Sequence, residues 1–557
     1  MKFRLLLTVS DEILERKENA VYSLSLALGN IKGYLEDEED ISTIISDLNE
    51  KNVGKYSKEQ LQILYDIDKV CLYLQGYECE DVERIAENLL SEYEMKDFDV
   101  YGVSIGGDFS LFQIHSGLVI AKYIQNKFKC PVIVGGNNIT YIYNFGDIYD
   151  ELWKAISASG IIVLKGAGER TLAEIIPKLV DGEKIKGEDI PGGIYFKDSK
   201  LCANSEANPI VVRPKWDGLN MDIYKKHLKK NQFDWGHQDL LTQVFYLPDT
   251  FKGSAGQLLN EFYKIGKNTD NCKIVLPYIF NYNCPYMCAF CNQSDEDKKG
   301  VIIGAVEKVV DDIEYLMKKH NTNYFYFLNN SFNYSIPFVQ EFGKKIRERN
   351  IEIYWSDCGR VNNLTYELLE SMYQSGCRKL TFGFESGSEK ILELINKNID
   401  LNKLERVLKW CYEIGIKSDL EVIIGLPYES EAEFAETYKF IYRNRKYINY
   451  FWVNEFFVVP NSLIGKYPDR YDISIRKDYR NYRDLALYNK RKFLENNAAS
   501  CMGYNSRLYA YDENNGRSYE QISIENADKI RRLNLIQNSQ IYNLAKIYEA
   551  MLKKYRK

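Results

Sequence analysis

Twice along this chain, short apolar runs stop at glycine or a small polar residue and give way to a stretch with helical period. The first set covers 2–9, 99–105, 131–134 and 161–165, and three of its runs end at Gly106-Gly107, Gly135-Gly136 and Gly166. The second set covers 273–279, 323–328, 352–355, 379–384, 418–424 and 450–457. Parallel strands need a crossover of a dozen residues or more, normally a helix, so this alternation leaves few architectures open. An α/β chain is expected: an N-terminal Rossmann-like open parallel sheet, then a partial (β/α)6 TIM-type barrel, then a helical C-terminal extension. Helices are expected at 22–35, 114–128 and 171–179 in the first sheet, and at 479–494 and 525–555 near the end. The domain limits read as 1–195 for the first sheet, 196–270 for a linker and insertion, 271–470 for the barrel and 471–557 for the helical region. The 557 residues suffice for two to four domains, each with its own core.

Straight after the 273–279 run stands Cys284-Pro-Tyr-Met-Cys288-Ala-Phe-Cys291, three thiols on one tight loop with no fourth beside them. Thiolates are soft ligands that select zinc or iron–sulfur clusters. Zinc sites normally pair C-x2-C halves or add histidine at set distances. The four histidines, His115, His227, His237 and His320, all lie more than 25 residues from this run. A cubane of four irons wants four ligands, and three would leave one iron open to bind and reduce something else. The other nine of the twelve cysteines are scattered singly, which suits a reducing cytosol better than a disulfide framework.

The formal net charge of −6 gives no global attraction to nucleic acid or anionic lipid. No run of about 18 uncharged apolar residues occurs, and the N-terminus turns acidic too soon for a signal peptide. A cytoplasmic location without membrane or nucleic-acid partners is therefore expected.

The cysteine run resembles the signature of the radical S-adenosylmethionine (radical SAM) enzymes. The resemblance implies a [4Fe-4S] cluster on Cys284, Cys288 and Cys291, with S-adenosylmethionine on the open iron. One electron then splits the sulfonium to a 5′-deoxyadenosyl radical. An electron donor such as flavodoxin or ferredoxin and a small-molecule or peptide substrate are implied with it. Residues 1–195 look like the cobalamin-binding domain that precedes the radical domain in one large group of these enzymes. Ser104-Ile-Gly106, followed 28 residues later by Gly135-Gly136, matches a half-motif of that domain with glycine for the usual leucine. Ser104, Gly135 and Gly136 are thus the candidate cobalamin residues. The domain's D-x-H-x-x-G run, which supplies a cobalt ligand in many cobalamin proteins, is absent, and His115 at a helix start is no substitute.

Further matches implicate residues around S-adenosylmethionine itself. Phe290 matches the aromatic that the family carries beside the adenine. Asn329, in Phe-Leu-Asn329-Asn330, stands where an acidic pair often grips the methionine amino group. Arg360, closing Trp355-Ser-Asp357-Cys358-Gly-Arg360, matches an arginine suited to the methionine carboxylate or a substrate acid. Gly383-Phe-Glu385-Ser386-Gly-Ser388 resembles a G-x-E-S-G-s run in which a strand-end carboxylate accepts both ribose hydroxyls; Ser386 is included with it, although a helix cap explains the serines as well. Gly425-Leu-Pro427 resembles the adenine-side motif, where glycine lets the backbone approach the purine. Glu429 is expected to open the next helix, where an acid stabilises the dipole.

Two activities remain compatible with this reading: cobalamin-dependent methylation, and cobalamin-independent cyclisation, rearrangement or epimerisation. Outside catalysis, an iron–sulfur electron-transfer or sensor protein would need neither Glu385 nor the Gly425 loop.

Overall fold

The computed structural model describes residues 1–14, 24–107, 110–224, 274–294, 300–476, 482–495 and 509–537. The chain divides into two compact units, one built from 1–227 with 477–509, the other from 228–476 with 510–557.

In the first unit, strands β1 (Lys2–Leu7), β2 (Ser42–Asp47), β3 (Val100–Ser104), β4 (Val132–Gly135) and β5 (Ile162–Val163) form one sheet in the order β2-β1-β3-β4-β5. All four neighbour pairs are parallel. This is the open sheet expected, in a doubly wound order that reverses between β1 and β3, and ligands of such sheets gather outside the carboxyl ends at that point. The edge strand β2 was not foreseen. Its sequence, Ser-Thr-Ile-Ile-Ser-Asp, is short and follows an acidic stretch, so its apolar signal is weak. The helix expected at 22–35 is seen as Leu26–Asp37, capped by Ser25, whose Oγ accepts from the Leu28 amide at 3.3 Å.

The described part of the expected linker, 196–224, is built structure of this unit. Strands β6 (Ile194–Lys197) and β7 (Lys200–Ala203) make an antiparallel hairpin. The chain at 213–216 then lies against the helix Leu26–Asp37, and Trp216 Nε1 donates to the Ser25 carbonyl at 2.9 Å. Glycine makes the approach feasible: a Cβ on Gly33 would sit 2.1 Å from the Arg213 carbonyl oxygen. The run Lys225-Lys226-His227-Leu-Lys229-Lys230, a basic cluster expected to be a solvated helix face, lies outside the described residues.

In the second unit, six strands run parallel in the order β15-β14-β13-β12-β11-β8. They are β8 (Val275–Tyr278), β11 (Tyr324–Phe327), β12 (Tyr354–Gly359), β13 (Cys377–Glu385), β14 (Lys417–Ile424) and β15 (Tyr450–Glu455), with a small ribbon of β9 (Asn281–Tyr282) and β10 (Ile302–Ile303) after β8. Each matches one expected strand to within a few residues. One face is sealed against helices: Phe325, Trp355, Phe382, Leu420 and Val422 are 0 % exposed. On the other face Thr381, Glu421, Ile423 and Trp452 stay partly exposed, as alternation along a strand requires when one face lines an open space.

The C-terminal stretch is divided between the units. The helix Tyr482–Glu495 belongs to the first, whereas β16 (Ile473–Ile475), β17 (Tyr511–Glu513) and the helix Tyr519–Gln537 belong to the second. No helix among the described residues is long and apolar enough to cross a membrane.

Candidate active site

The three cysteines follow β8 and its ribbon at the carboxyl-end mouth of the six-stranded sheet, where such folds place chemistry. Their loop is pinned from three sides. The Cys291 amide donates to the Cys288 carbonyl at 3.1 Å, and Ser294 Oγ donates to the same carbonyl at 2.6 Å. The Ala289 amide donates to the Ile395 carbonyl at 2.8 Å, and Asn396 Nδ2 to the Met287 carbonyl at 2.9 Å. The Ile464 amide reaches back to the Ala289 carbonyl at 3.0 Å. Burial raises the Cys291 thiol, and the neighbouring Cys288 and Cys284 raise it further. Among the described residues no three His, Cys, Asp or Glu side chains are close enough to hold a single ion. Three thiols on one loop fit a cluster of several metals, in which each thiolate binds a different one.

Beside this loop β13 ends on Glu385, held at φ 60° in the left-handed region, and the register against β14 slips between Gly383 and Glu385. The bulge re-aims the carboxylate along the mouth. Lys397 Nζ donates to Glu385 Oε1 at 2.6 Å, and the two side chains are 12 % and 6 % exposed. Gly383 makes room for the pair, since a Cβ there would lie 2.5 Å from Lys397 Nζ. Lys397 also stands 5.7 Å from the Phe290 ring centroid. Burial pulls the Lys397 ammonium down, but Glu385 and Cys288 more than offset it, so the net direction is upward. Lys397 follows the Gly383–Ser388 run, twelve positions beyond Glu385, and the return of the chain after the helix Glu389–Leu394 brings it back to the carboxylate.

Arg360 lies in the same neighbourhood. Its guanidinium stacks on the Tyr286 ring of the cysteine loop at 3.4 Å from the centroid, and Nη2 donates to the Lys397 carbonyl at 2.7 Å. Arg360, Lys397, Gly359 and Gly383 line one small recess.

Three residues expected at the ligand also make contacts within the fold. Asn329 is 3 % exposed; its Oδ1 accepts the Phe280 and Asn281 amides at 3.1 and 2.9 Å, and its Nδ2 donates to Asp357 Oδ2 at 2.6 Å. Ser386 is fully buried, shares a hydrogen bond of 3.3 Å with Thr437 Oγ1 and accepts from the Ser388 amide at 3.2 Å. Gly425 does permit a close approach, but by Asn526 of the C-terminal helix: a Cβ there would fall 2.2 Å from Asn526 Nδ2. Its carbonyl accepts from Tyr511 Oη at 2.6 Å, and its amide donates to Glu429 Oε2 at 2.7 Å. Glu429 therefore does not open a helix. The next helix, Glu431–Asn444, is capped by Ser430, and Glu429 is 0 % exposed and paired with Lys529 at 3.3 Å. Residues 511–529 lie far down the chain from this loop, which is why local patterning missed them.

In the first unit, Ser104 and Gly135 end β3 and β4, and Gly136 follows at φ 109° with no room for a Cβ beside the Ile105 backbone. A Cβ added at Gly106 would meet Leu7 and Ser104 at ordinary contact, 3.9 Å. His115 is fully buried in the helix Leu111–Phe128, with Nδ1 on the Leu64 carbonyl and Nε2 on Tyr482 Oη.

Residues 278–441 match the radical SAM superfamily. They form a radical SAM domain. Among curated relatives, the chain is 24% identical to the uncharacterized methyltransferase PH0819 of Pyrococcus horikoshii over 62% of its own length and 64% of that protein's. It is 26% identical to the anaerobic magnesium-protoporphyrin IX monomethyl ester cyclase of Rubrivivax gelatinosus, over 59% of this chain and 52% of the cyclase. The chain thus spans less than two thirds of either relative. Among solved structures, the radical S-adenosylmethionine methyltransferase TsrM from Kitasatospora setae superposes with a TM-score of 0.56 at 15% identity, covering 83% of this chain and 75% of TsrM. The cobalamin-dependent S-adenosylmethionine radical enzyme OxsB superposes with a TM-score of 0.53 at 15% identity, covering 89% of this chain and 56% of OxsB. These two likenesses concern the fold. It is that of a parallel N-terminal sheet followed by a radical SAM barrel.

Proposed function

We propose that this chain is a radical SAM enzyme that cleaves S-adenosylmethionine reductively to a 5′-deoxyadenosyl radical, which then takes a hydrogen atom from a substrate C–H bond. The observation that carries this reading is the three-cysteine loop pinned at the mouth of the six-stranded sheet, with the buried Glu385–Lys397 pair beside it. Cys284, Cys288 and Cys291 would hold a [4Fe-4S] cluster, which would supply the electron for reductive cleavage. The chain's own residues bind and orient. Glu385 offers its second carboxylate oxygen to the ribose hydroxyls, since Oε1 is engaged by Lys397. Lys397 and Arg360 present two cations beside the recess, which suits the methionine carboxylate. Phe290 provides an apolar wall. The Gly425 turn, fixed by Tyr511 and Glu429, closes the mouth at the end of β14 and helps keep water from the radical.

The N-terminal sheet supports cobalamin as a second cofactor and methylation of a small molecule or peptide as the reaction. The strand ends at Ser104, Gly106, Gly135 and Gly136 lie beside the switch point of the sheet, where ligands of such folds gather. Bound cobalamin would supply a methyl group for transfer to the substrate. His115 is committed to Leu64 and Tyr482, so it provides no ligand to cobalt. An electron donor of the flavodoxin or ferredoxin class completes the scheme.

Anaerobic reconstitution tests the reading. The account expects retained iron and sulfide, a reduced-cluster EPR signal that changes when S-adenosylmethionine is added, and cobalamin that survives desalting. Cys284→Ala, Cys288→Ala or Cys291→Ala should abolish the EPR signal. Zinc in place of iron would overturn it.

A further inference from the structure

The site described so far leaves one reactive group on the barrel's inner face without a role. Two cysteines lie in the barrel strands. Cys377 starts β13 fully buried on the sealed face, laterally paired with Trp355. Cys358 is partly exposed and pairs with Thr381, which lies on the open face two residues before Gly383. Two residues along a parallel strand is about 6.6 Å, and over Gly383 stands the Glu385–Lys397 pair. The Cys358 thiol accordingly feels the charges of Glu421, Lys379 and Lys397. A second observation is an unpartnered polar group on the same face. Ser356, one step back on the same face of β12, is 0 % exposed and its Oγ has no hydrogen-bond partner.

We propose that Cys358 is a hydrogen-atom donor that returns hydrogen to a carbon radical in the barrel. The inference rests on the reductive cleavage proposed above and concerns a carbon radical that has not received a methyl group. The step balances. The S–H bond of Cys358 breaks homolytically, its hydrogen atom joins the carbon radical as a new C–H bond, and the sulfur is left as a thiyl radical. One electron from the low-potential one-electron donor that also reduces the cluster, with one proton from solvent, restores the thiol. An S–H bond is weaker than the C–H bond formed, so the transfer runs downhill. A thiolate could not serve, having no hydrogen to give. Burial first, and then the nearby Asp357 and Glu421, push this thiol up to about 12, which keeps it as S–H at neutral pH.

S-adenosylmethionine alone is a sufficient probe. The reconstituted full-length protein is exchanged into D2O and reduced with titanium(III) citrate, which carries no thiol, and the 5′-deoxyadenosine formed is analysed by mass spectrometry. Without a substrate, the 5′-deoxyadenosyl radical should draw on Cys358, and the product should carry one deuterium. C358A and C358S should still cleave S-adenosylmethionine, but their product should fall to background deuterium, because a serine O–H bond is too strong to give its hydrogen. Iron content and total 5′-deoxyadenosine, measured in the same samples, show that a variant is folded and loaded. Deuterium that persists in both variants, or a wild-type product without deuterium, overturns the proposal while leaving S-adenosylmethionine cleavage intact. No 5′-deoxyadenosine from any of the three proteins would instead overturn the proposed function, and this inference with it.

Discussion

Lys529→Met removes the cation that holds the Gly425 turn from the C-terminal helix. In the wild type Lys529 Nζ sits 3.3 Å from Glu429 Oε2 and also donates to the Glu429 carbonyl at 3.0 Å. The two side chains are 2 % and 0 % exposed. Deleting one partner of a buried pair typically costs about 3–5 kcal/mol, because the remaining charge is left without compensation. Glu429 has an escape, which is to take up a proton. For an ordinary glutamate of pKa about 4.3, that costs roughly 3.7 kcal/mol at pH 7 and about 1 kcal/mol at pH 5. Burial already favours the protonated form of Glu429, so these figures are ceilings. The sign follows: a carboxyl whose folded pKa lies above its unfolded one stabilises the fold at low pH and loses that contribution as pH rises. The K529M defect should therefore be about 2–4 kcal/mol at pH 7 and shrink to about 1 kcal/mol or less at pH 5. Adding Glu429→Gln to K529M should recover most of the loss at pH 7. Urea unfolding of the apoprotein at both pH values, followed by intrinsic fluorescence, reads this directly. A K529M defect that is independent of pH, or below about 1 kcal/mol at pH 7, would refute the reasoning.

Burial, and then the nearby Glu385, push the Glu421 carboxyl on β14 up to about 7. Its stabilising contribution is thus full below pH 4.5 and lost as pH rises toward 7, so Glu421→Gln should stabilise by on the order of 1–3 kcal/mol at pH 8 and by little at pH 5; melting temperatures at the two values check it. His115 shows the opposite sign: burial holds its imidazole down at about 4, so stability present above pH 6.5 should drain away as pH falls toward 4, by up to ~3 kcal/mol. His115→Gln should flatten that slope in acid titrations, and Tyr482→Phe should cost about 1 kcal/mol by leaving Nε2 unsatisfied. Lys397→Met should weaken S-adenosylmethionine binding at least tenfold by equilibrium dialysis, the loss expected for a charge-assisted contact of about 1.5–3 kcal/mol.

Strand-level organisation was legible because it is local. Five of the six barrel strands follow apolar runs closely, β12 (Tyr354–Gly359) extends beyond its run into Ser-Asp-Cys-Gly, and the cysteine loop is a spacing within eight residues. β2 escaped because an edge strand with serine, threonine and aspartate carries little apolar signal. Glu385 could be singled out as a candidate because its strand end is a local feature. The fold contacts of Asn329 and Gly425 were not legible because their partners, Asp357, Tyr511 and Asn526, arrive from distant segments, and an amide or glycine at a strand end looks alike whether a ligand or the fold uses it. Lys397 is visible after the Glu385 run but carries no role by sequence alone, because its pairing with Glu385 depends on the return of the chain after a helix.

The most direct test of the central claim is the formation of 5′-deoxyadenosine from S-adenosylmethionine by the anaerobically reconstituted, reduced protein, with a triple variant of Cys284, Cys288 and Cys291 to alanine run beside it. The account predicts 5′-deoxyadenosine and methionine in equal amounts from the wild type and neither from the variant. An iron-loaded wild type that binds S-adenosylmethionine and leaves it intact under reduction, or a variant that cleaves it equally well, would contradict the account.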